Sequence, residues 1–340
     1  MRRNMLTLAD REEISRCLAV GMEQKDIAVR IGRHPSVVSR EIGRHGGRRA
    51  YRAHRADAGA GKSRRRPKRR KIDAAPGLRE RVVCDLRKAW SPQQISGRLC
   101  YERNRGETDM SVSHEAIYTW LYALPKGELA EMEVALRTGR ARRQPRGRAR
   151  SKGARIVGMT SISQRPAEAE GRQVPGHWEG DLVIGKQGKT AMGTLVERKT
   201  RYLVPVALPD GRDSAAVCGR VIDSVAGMPA NLLKSITWDQ GIEMARHAAL
   251  TLATDIPVYF AHAHSPWERG TNENTNGLLR EYFPKGTDIT GDIRYLNTVA
   301  DEINGRPRAT LGFRTPAEVF AELLLADDSG DDLSSSASTG

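Results

Sequence analysis

The sequence predicts a multidomain chain in which N-terminal all-α helix-turn-helix units precede an α/β domain built on a mixed five-stranded sheet. Three observations carry this. Apolar residues recur at helical spacing along the front of the chain. Charge is divided unevenly: residues 1–155 hold 38 Lys and Arg against 17 Asp and Glu, a balance of +21, and the remainder balances at −6. From about Gly176 three successive strand-like runs give way to alternating helix and strand, the order of a mixed sheet.

In the first segment Ile14, Leu18 and Val20 form one apolar stripe, Gly21 breaks it, and Ile27, Ala28 and Ile31 form a second. Pro35 opens a third helix with Val38 and Ile42 inward. Ser36, Val37, Arg40 and Arg44 then face outward, a hydroxyl and arginine set suited to base edges and phosphates in a major groove. The competing reading is a three-helix bundle with a basic face. Residues 59–75 read as a basic linker, GAGKSRRRPKRRKID and its flank, with nothing to bury. A second helix-turn-helix unit spans 76–138, where Ser91 with Pro92 starts one helix and Ser113 caps another; packing against protein is its alternative role. A second basic linker covers 139–172.

The predicted α/β domain spans 173–325. HWEGDLVIGK, TAMGTLVERK and RYLVPVALPD are antiparallel neighbours; residues 214–226 are helical, SITWD is a strand, 243–253 are helical, and IPVYFA is the fifth strand. Ser265, Pro266 and Glu268 form a capping box for the next helix, which packs through Trp267, Leu278 and Tyr282. Helices over 293–303 and 315–325 end the fold, and residues 326–340 are an acidic, serine-rich tail expected to be disordered.

The net charge of +15 favours a polyanion, most directly double-stranded DNA. No apolar run approaches the roughly 18 residues of a membrane span, and MRRNMLTLADREE lacks a signal-peptide core, so a cytoplasmic protein without a membrane partner is expected. Cys17, Cys84, Cys100 and Cys218 show no ligand or disulfide spacing. His262 and His264 lack further ligands nearby and read as loop residues.

Three acids are candidates for chemistry: Asp181 in the first strand, Asp239 where the fourth strand ends, and Glu273 on the helix after the fifth. Ligands of open α/β sheets gather at strand ends. Hard oxygen donors from separate elements suit Mg²⁺ or Mn²⁺, and two such ions serve phosphoryl transfer. Of the competing acids, Glu179 is assigned to the other side of its strand, Glu243 to a helix start and Glu268 to the cap. Arg280, on the same helix face as Glu273, is a candidate phosphate contact.

GHWEGDLVIGK, TLVERKTRYLVPV, ITWDQGIEMA, SPWERGTNENTNGLLREYFPKGTD and NGRPRATLGFRTPAEVF resemble the motif series of bacterial transposases in the family named after insertion sequence thirty, within the DDE RNase H-like superfamily. The resemblance runs from Leu6 to Phe320. It implies an RNase H-like catalytic domain with Asp181, Asp239 and Glu273 as its triad, 57 and 33 residues intervening. It also implies Mg²⁺ dependence, terminal inverted repeats as binding sites and activity as an oligomer; two Mg²⁺ ions per site, target DNA as a partner and at least a dimer are expected. Two departures, DQGIEMA for the more frequent DNGKEF and His264 where an aromatic is common, touch substrate contacts rather than the triad. A DNA-binding regulator with a non-catalytic oligomerisation domain, or a metal-dependent nuclease without strand transfer, are the alternatives.

Overall fold

The computed structural model describes residues 5–65, 69–125, 127, 156–263 and 265–331. The chain divides into two compact units, Met1–Arg70 and Lys71–Gly340.

In the first unit, α1 (Leu8–Ala19) begins at Thr7, whose hydroxyl and the Asp10 carboxylate form a reciprocal capping box. After α2 (Gln24–Arg30), α3 (Pro35–Arg44) starts on proline and on the His34 ring, which accepts from the Ser36 N–H. A short α4 (Gly47–Ala50) leads into α5 (Ala53–Arg65). Ile14, Cys17, Ile27, Ala28, Val38, Ile42, Tyr51 and Ala56 make the core. Val20 is 76% exposed and takes no part in it. The α5 helix extends into the stretch read as linker because Ala56 packs into this core and Asp57 accepts from Arg11 at 2.9 Å. Arg11 also holds buried Glu41 at 2.7 Å, so one guanidinium ties α1, α3 and α5.

The second unit opens with α6 (Lys71–Ala74), α7 (Pro76–Arg87), α8 (Pro92–Asn104) and α9 (His114–Leu121) around Val82, Ile95, Leu99, Ile117 and Trp120. Residues 128–155, part of the predicted second unit and second linker, lie outside the described residues. The helical group is bonded to the end of the chain. Gln94 caps α8 through its Oε1 and donates its Nε2 to the Pro307 carbonyl at 2.9 Å. Arg98 forks onto Glu318 at 2.7 and 2.6 Å, and Gly97 leaves room for the Phe313 ring, which an added Cβ would meet at 2.2 Å.

The sheet has six strands, one more than expected, in the order β1-β6-β5-β2-β3-β4. They are β1 (Thr160–Ser161), β2 (His177–Ile184), β3 (Ala191–Glu197), β4 (Leu203–Ala207), β5 (Ser235–Trp238) and β6 (Val258–Phe260). The extra strand is two residues long and pairs with the edge of β6, too short for any alternation to announce it. The first long strand, β2, pairs antiparallel with β3 and parallel with β5, which makes the sheet mixed. On one face α10 (Ser214–Val225), α11 (His247–Thr254) and Phe320 pack over Trp178, Leu195, Ile236 and Trp238. On the other, α12 (Gly270–Tyr282) and α13 (Ile293–Asn304) pack over Val183, Met192, Val196 and Leu203. The last helix, α14 (Pro316–Asp331), starts from the expected capping box of Thr315 and Glu318; residues 332–340 of the predicted tail lie outside the described ones. No described helix is long and apolar enough to cross a membrane.

Candidate active site

The site grows from the register of two neighbouring parallel strands. Glu179 of β2 pairs with Thr237 of β5, and two residues further each chain presents an aspartate, Asp181 within β2 and Asp239 immediately after β5. Gly180 permits this, because the Trp238 ring lies across it and an added Cβ would stand 2.0 Å from ring carbons. Arg269 lies between the acids, its Nη1 3.4 Å from Asp181 Oδ1 and its Nη2 3.4 Å from Asp239 Oδ2, with a further bond to the Gly180 carbonyl. The other oxygens are oriented by ordinary hydrogen bonds. Asp181 Oδ2 accepts from Asn276 Nδ2 at 2.9 Å, and Asp239 Oδ1 from the Gly241 N–H at 2.9 Å. Burial pushes the Asp181 carboxyl above its usual range, Arg269 opposes the shift, and Asp239 reinforces it.

Asn276 comes from α12, the helix that also carries Glu273. Glu273 is exposed and sits one turn before Asn276. Among the described residues no three His, Cys, Asp or Glu side chains come together as a metal-holding group; Asp181 and Asp239 share Arg269, and Glu273 lies on the helix whose Asn276 bonds Asp181. The start of α12 differs from the capping box expected. Ser265 makes no side-chain cap; a 3₁₀ turn, Pro266–Arg269, precedes the helix, and Glu268 instead accepts from the His262 N–H and pairs with its Nδ1, both at 2.8 Å. A carboxylate offered a backbone N–H and an imidazole together gains more than from one cap. Trp267, expected to pack, is 71% exposed because the 3₁₀ turn breaks the helical phase.

Glu179 also departs from its assignment. A strand repeats every two residues, so Glu179 shares the face of Asp181. It is fully buried, accepting from Arg198 Nε and from the Asn272 N–H of α12, both at 2.9 Å. It therefore supplies from β2 the N-terminal acceptor that α12 lacks in its own chain. Glu243 and Arg269 escaped sequence reasoning as site residues. Glu243 accepts from Trp238 Nε1 at 3.3 Å, and burial, with Asp239 and Asp181 adding to it, raises its carboxyl. The available signal was position alone, Glu243 four residues after Asp239 and Arg269 four before Glu273.

In the first unit Ser36, Arg40 and Arg44 are exposed on α3 as expected, while Val37 is half-buried against the core. Arg40 bonds back to the Ser36 carbonyl and hydroxyl. Arg280 donates to the Ile184 carbonyl at 2.9 Å and the Phe283 carbonyl at 3.3 Å, and burial lowers its pKa. His264 lies outside the described residues.

Two carboxylates converge on one guanidinium, and carboxylate oxygens are the donor type that hard divalent ions take. Residues 2–45 match the family model of a helix-turn-helix domain, and residues 171–266 that of an integrase core domain. The chain is 42% identical over 321 residues to transposase InsI for insertion sequence element IS30A of Escherichia coli (strain K12), covering 93% of this chain and 83% of that protein. It is 44% identical over 303 residues to the transposase for insertion sequence element IS1086 of Cupriavidus metallidurans, covering 88% of each. Identity to the transposase for insertion sequence element IS4351 of Bacteroides fragilis is 34%, over 94% of this chain and 96% of that one. With a helix-turn-helix front, an integrase core and relatives 42–44% identical over most of its length, the chain belongs to the IS30 family of insertion-sequence transposases, enzymes of the polynucleotidyl transferase class.

Proposed function

We propose that this transposase binds the terminal inverted repeats of its element, cleaves DNA there, and joins the freed 3′ end to target DNA, with Asp181, Asp239 and Glu273 as the acidic triad of one site serving both steps. The observation that carries the reading is the meeting of Asp181, within β2, and Asp239, just past the end of the adjacent parallel strand β5, around Arg269. The three acids would hold Mg²⁺ or Mn²⁺, two ions per site. When bound, such ions activate the attacking oxygen and stabilise the leaving one in an in-line displacement.

The chain's own residues prepare that chemistry. Asn276 and the Leu182 N–H each take one oxygen of Asp181, fixing the plane of its carboxylate. Gly241 takes Oδ1 of Asp239 and leaves Oδ2 toward Arg269. Arg269, with contacts of 3.4 Å rather than close ion pairs, balances the charge of the pair and yields to a stronger cation. Asn276 carries α12 against Asp181, so the helix with Glu273 borders the site. In the first unit, Ser36, Val37, Arg40 and Arg44 of α3 read the repeat through a major groove. The N–H groups of Arg280 beyond those held by carbonyls contact a phosphate. The protein acts as an oligomer, at least a dimer, in the cytoplasm on nucleoid DNA.

Replacing Asp239 with Ala is expected to abolish strand joining in Mg²⁺ while leaving binding to a duplex carrying the inverted repeats intact. Joined product from this variant at the wild-type rate would remove Asp239 from the site. Nicked product without joined product from the wild type would favour a nuclease instead.

A further inference from the structure

Two sequence motifs, TLVERKTRYLVPV and NGRPRATLGFRTPAEVF, supply arginines that the chemistry above leaves unused, and the fold brings them together. Arg201, in the turn between β3 and β4, and Arg308, after α13, line a cavity of about 190 Å³ with Thr271 and Asn274 of α12 and with Thr310. A water molecule takes about 30 Å³, so the space suits a phosphate group with a few waters. Its lining has two cations, hydroxyls and an amide, and no carboxylate. Asn274 and Thr310 are exposed, so the cavity opens to solvent.

The arginines are held in place at a cost. Arg201 has φ of +66°, a left-handed conformation that a side chain with a Cβ adopts under strain, and its Nη1 donates to Thr271 Oγ1 at 2.6 Å. Burial lowers its pKa, with Arg172 and Arg198 acting in the same direction and Glu179 and Glu197 against it. Arg172 reaches the same wall: its Nη2 is 3.7 Å from where a Cβ on Gly270 would stand, and its Nε is buried with no hydrogen-bond partner among the described residues. Glu179, already paired with Arg198, and Glu197 lie behind Arg201, while the cavity lining itself carries cations and no carboxylate, a surface that favours an anion.

We propose that this cavity is a subsite for a backbone phosphate of the DNA being processed, gripped by Arg201 and Arg308 from two separate segments beside the first turn of the Glu273 helix. The inference rests on the DNA-acting site described above, and it adds to that site a fixed point for the strand. A tetrahedral phosphate accepts several charge-assisted hydrogen bonds at once, which the arginines, Thr271, Asn274 and Thr310 can donate.

The test is the ³¹P line width of inorganic phosphate titrated with the full chain, for wild type, Arg201→Gly, Arg308→Gln and Asp239→Ala. Glycine relieves the positive φ at position 201 and glutamine keeps a donor toward the Ile303 carbonyl, so both variants should match the wild-type melting midpoint in phosphate-free buffer. Each is expected to weaken the saturable phosphate binding about tenfold, the effect of one charge-assisted bond. Added duplex DNA should release the bound phosphate from the wild type. Wild-type titrations from both variants, or phosphate that duplex fails to displace, overturn the proposal. Asp239→Ala should bind phosphate normally, and loss of binding there would move the anion to the aspartates and overturn it too. Strand joining by Asp239→Ala would instead sink the triad and leave the phosphate titrations standing.

Discussion

Two arginine–carboxylate clusters in the second unit look alike in composition and differ in tightness. In the first, Arg81 and Arg98 share Glu102 while Arg98 forks onto Glu318, with contacts between 2.6 and 3.0 Å. In the second, Arg269 stands 3.4 Å from each of Asp181 and Asp239. Short bidentate contacts lock α8 to α14 and leave nothing for a ligand to improve. A guanidinium 3.4 Å from each of two acids is held less tightly than one in short bidentate contact. Tightness thus separates acids used for building from the pair proposed for chemistry.

The comparison can be broken most sharply at Arg98. Arg98→Ala should lower stability by about 2–3 kcal/mol, since it strands part-buried carboxylates, with Arg81 still covering Glu102 and solvent softening the loss at Glu318. Urea midpoints at constant slope would read it, and an unshifted midpoint would make the fork ornamental. Arg269→Ala should cost about 1 kcal/mol in EDTA, where the aspartates lose their counter-charge, and should bind Mn²⁺ more tightly than wild type. Calorimetric titration with Mn²⁺ checks this; weaker binding would make Arg269 a support for the ions rather than their substitute. A pH effect follows at Glu318. Burial pushes its carboxyl up, but Arg98 and the Thr315 cap outweigh burial and hold it below 4.5. A depressed carboxyl stabilises above its unfolded pKa and loses that contribution as pH falls through its folded one. The wild type should therefore exceed Glu318→Gln by less than about 1 kcal/mol at pH 7, given its partial exposure, with the difference vanishing in acid. The smallest effect is expected at Trp267→Ala, within about 0.5 kcal/mol by thermal melting, because the ring is mostly in solvent.

Local chemistry was legible in the sequence and long-range chemistry was not. Caps at Ser91, Ser113 and Thr315 appear where hydroxyl residues precede apolar periodicity, since the donor and acceptor lie three residues apart. Asp239 could be placed at a strand end because the apolar run SITW stops beside it. The same local rule misled at Ser265, where His262 competes for Glu268 through a turn that periodicity does not encode. Nothing in PWER announces that Arg269 reaches two strands, and nothing near Arg98 points to Glu318, 220 residues away. Glu179 was misjudged by a slip in strand phase; the two-residue repeat itself gave the right face.

The fork between Arg98 and Glu318, with Gln94 on the Pro307 carbonyl, has a consequence for measurement of length. It makes the α7–α9 group a jig rather than a tether. Those helices are held to α14 at one spacing, set by side chains at both ends of the unit. Loosening the fork should blur where on its substrate the enzyme acts before it slows the action itself.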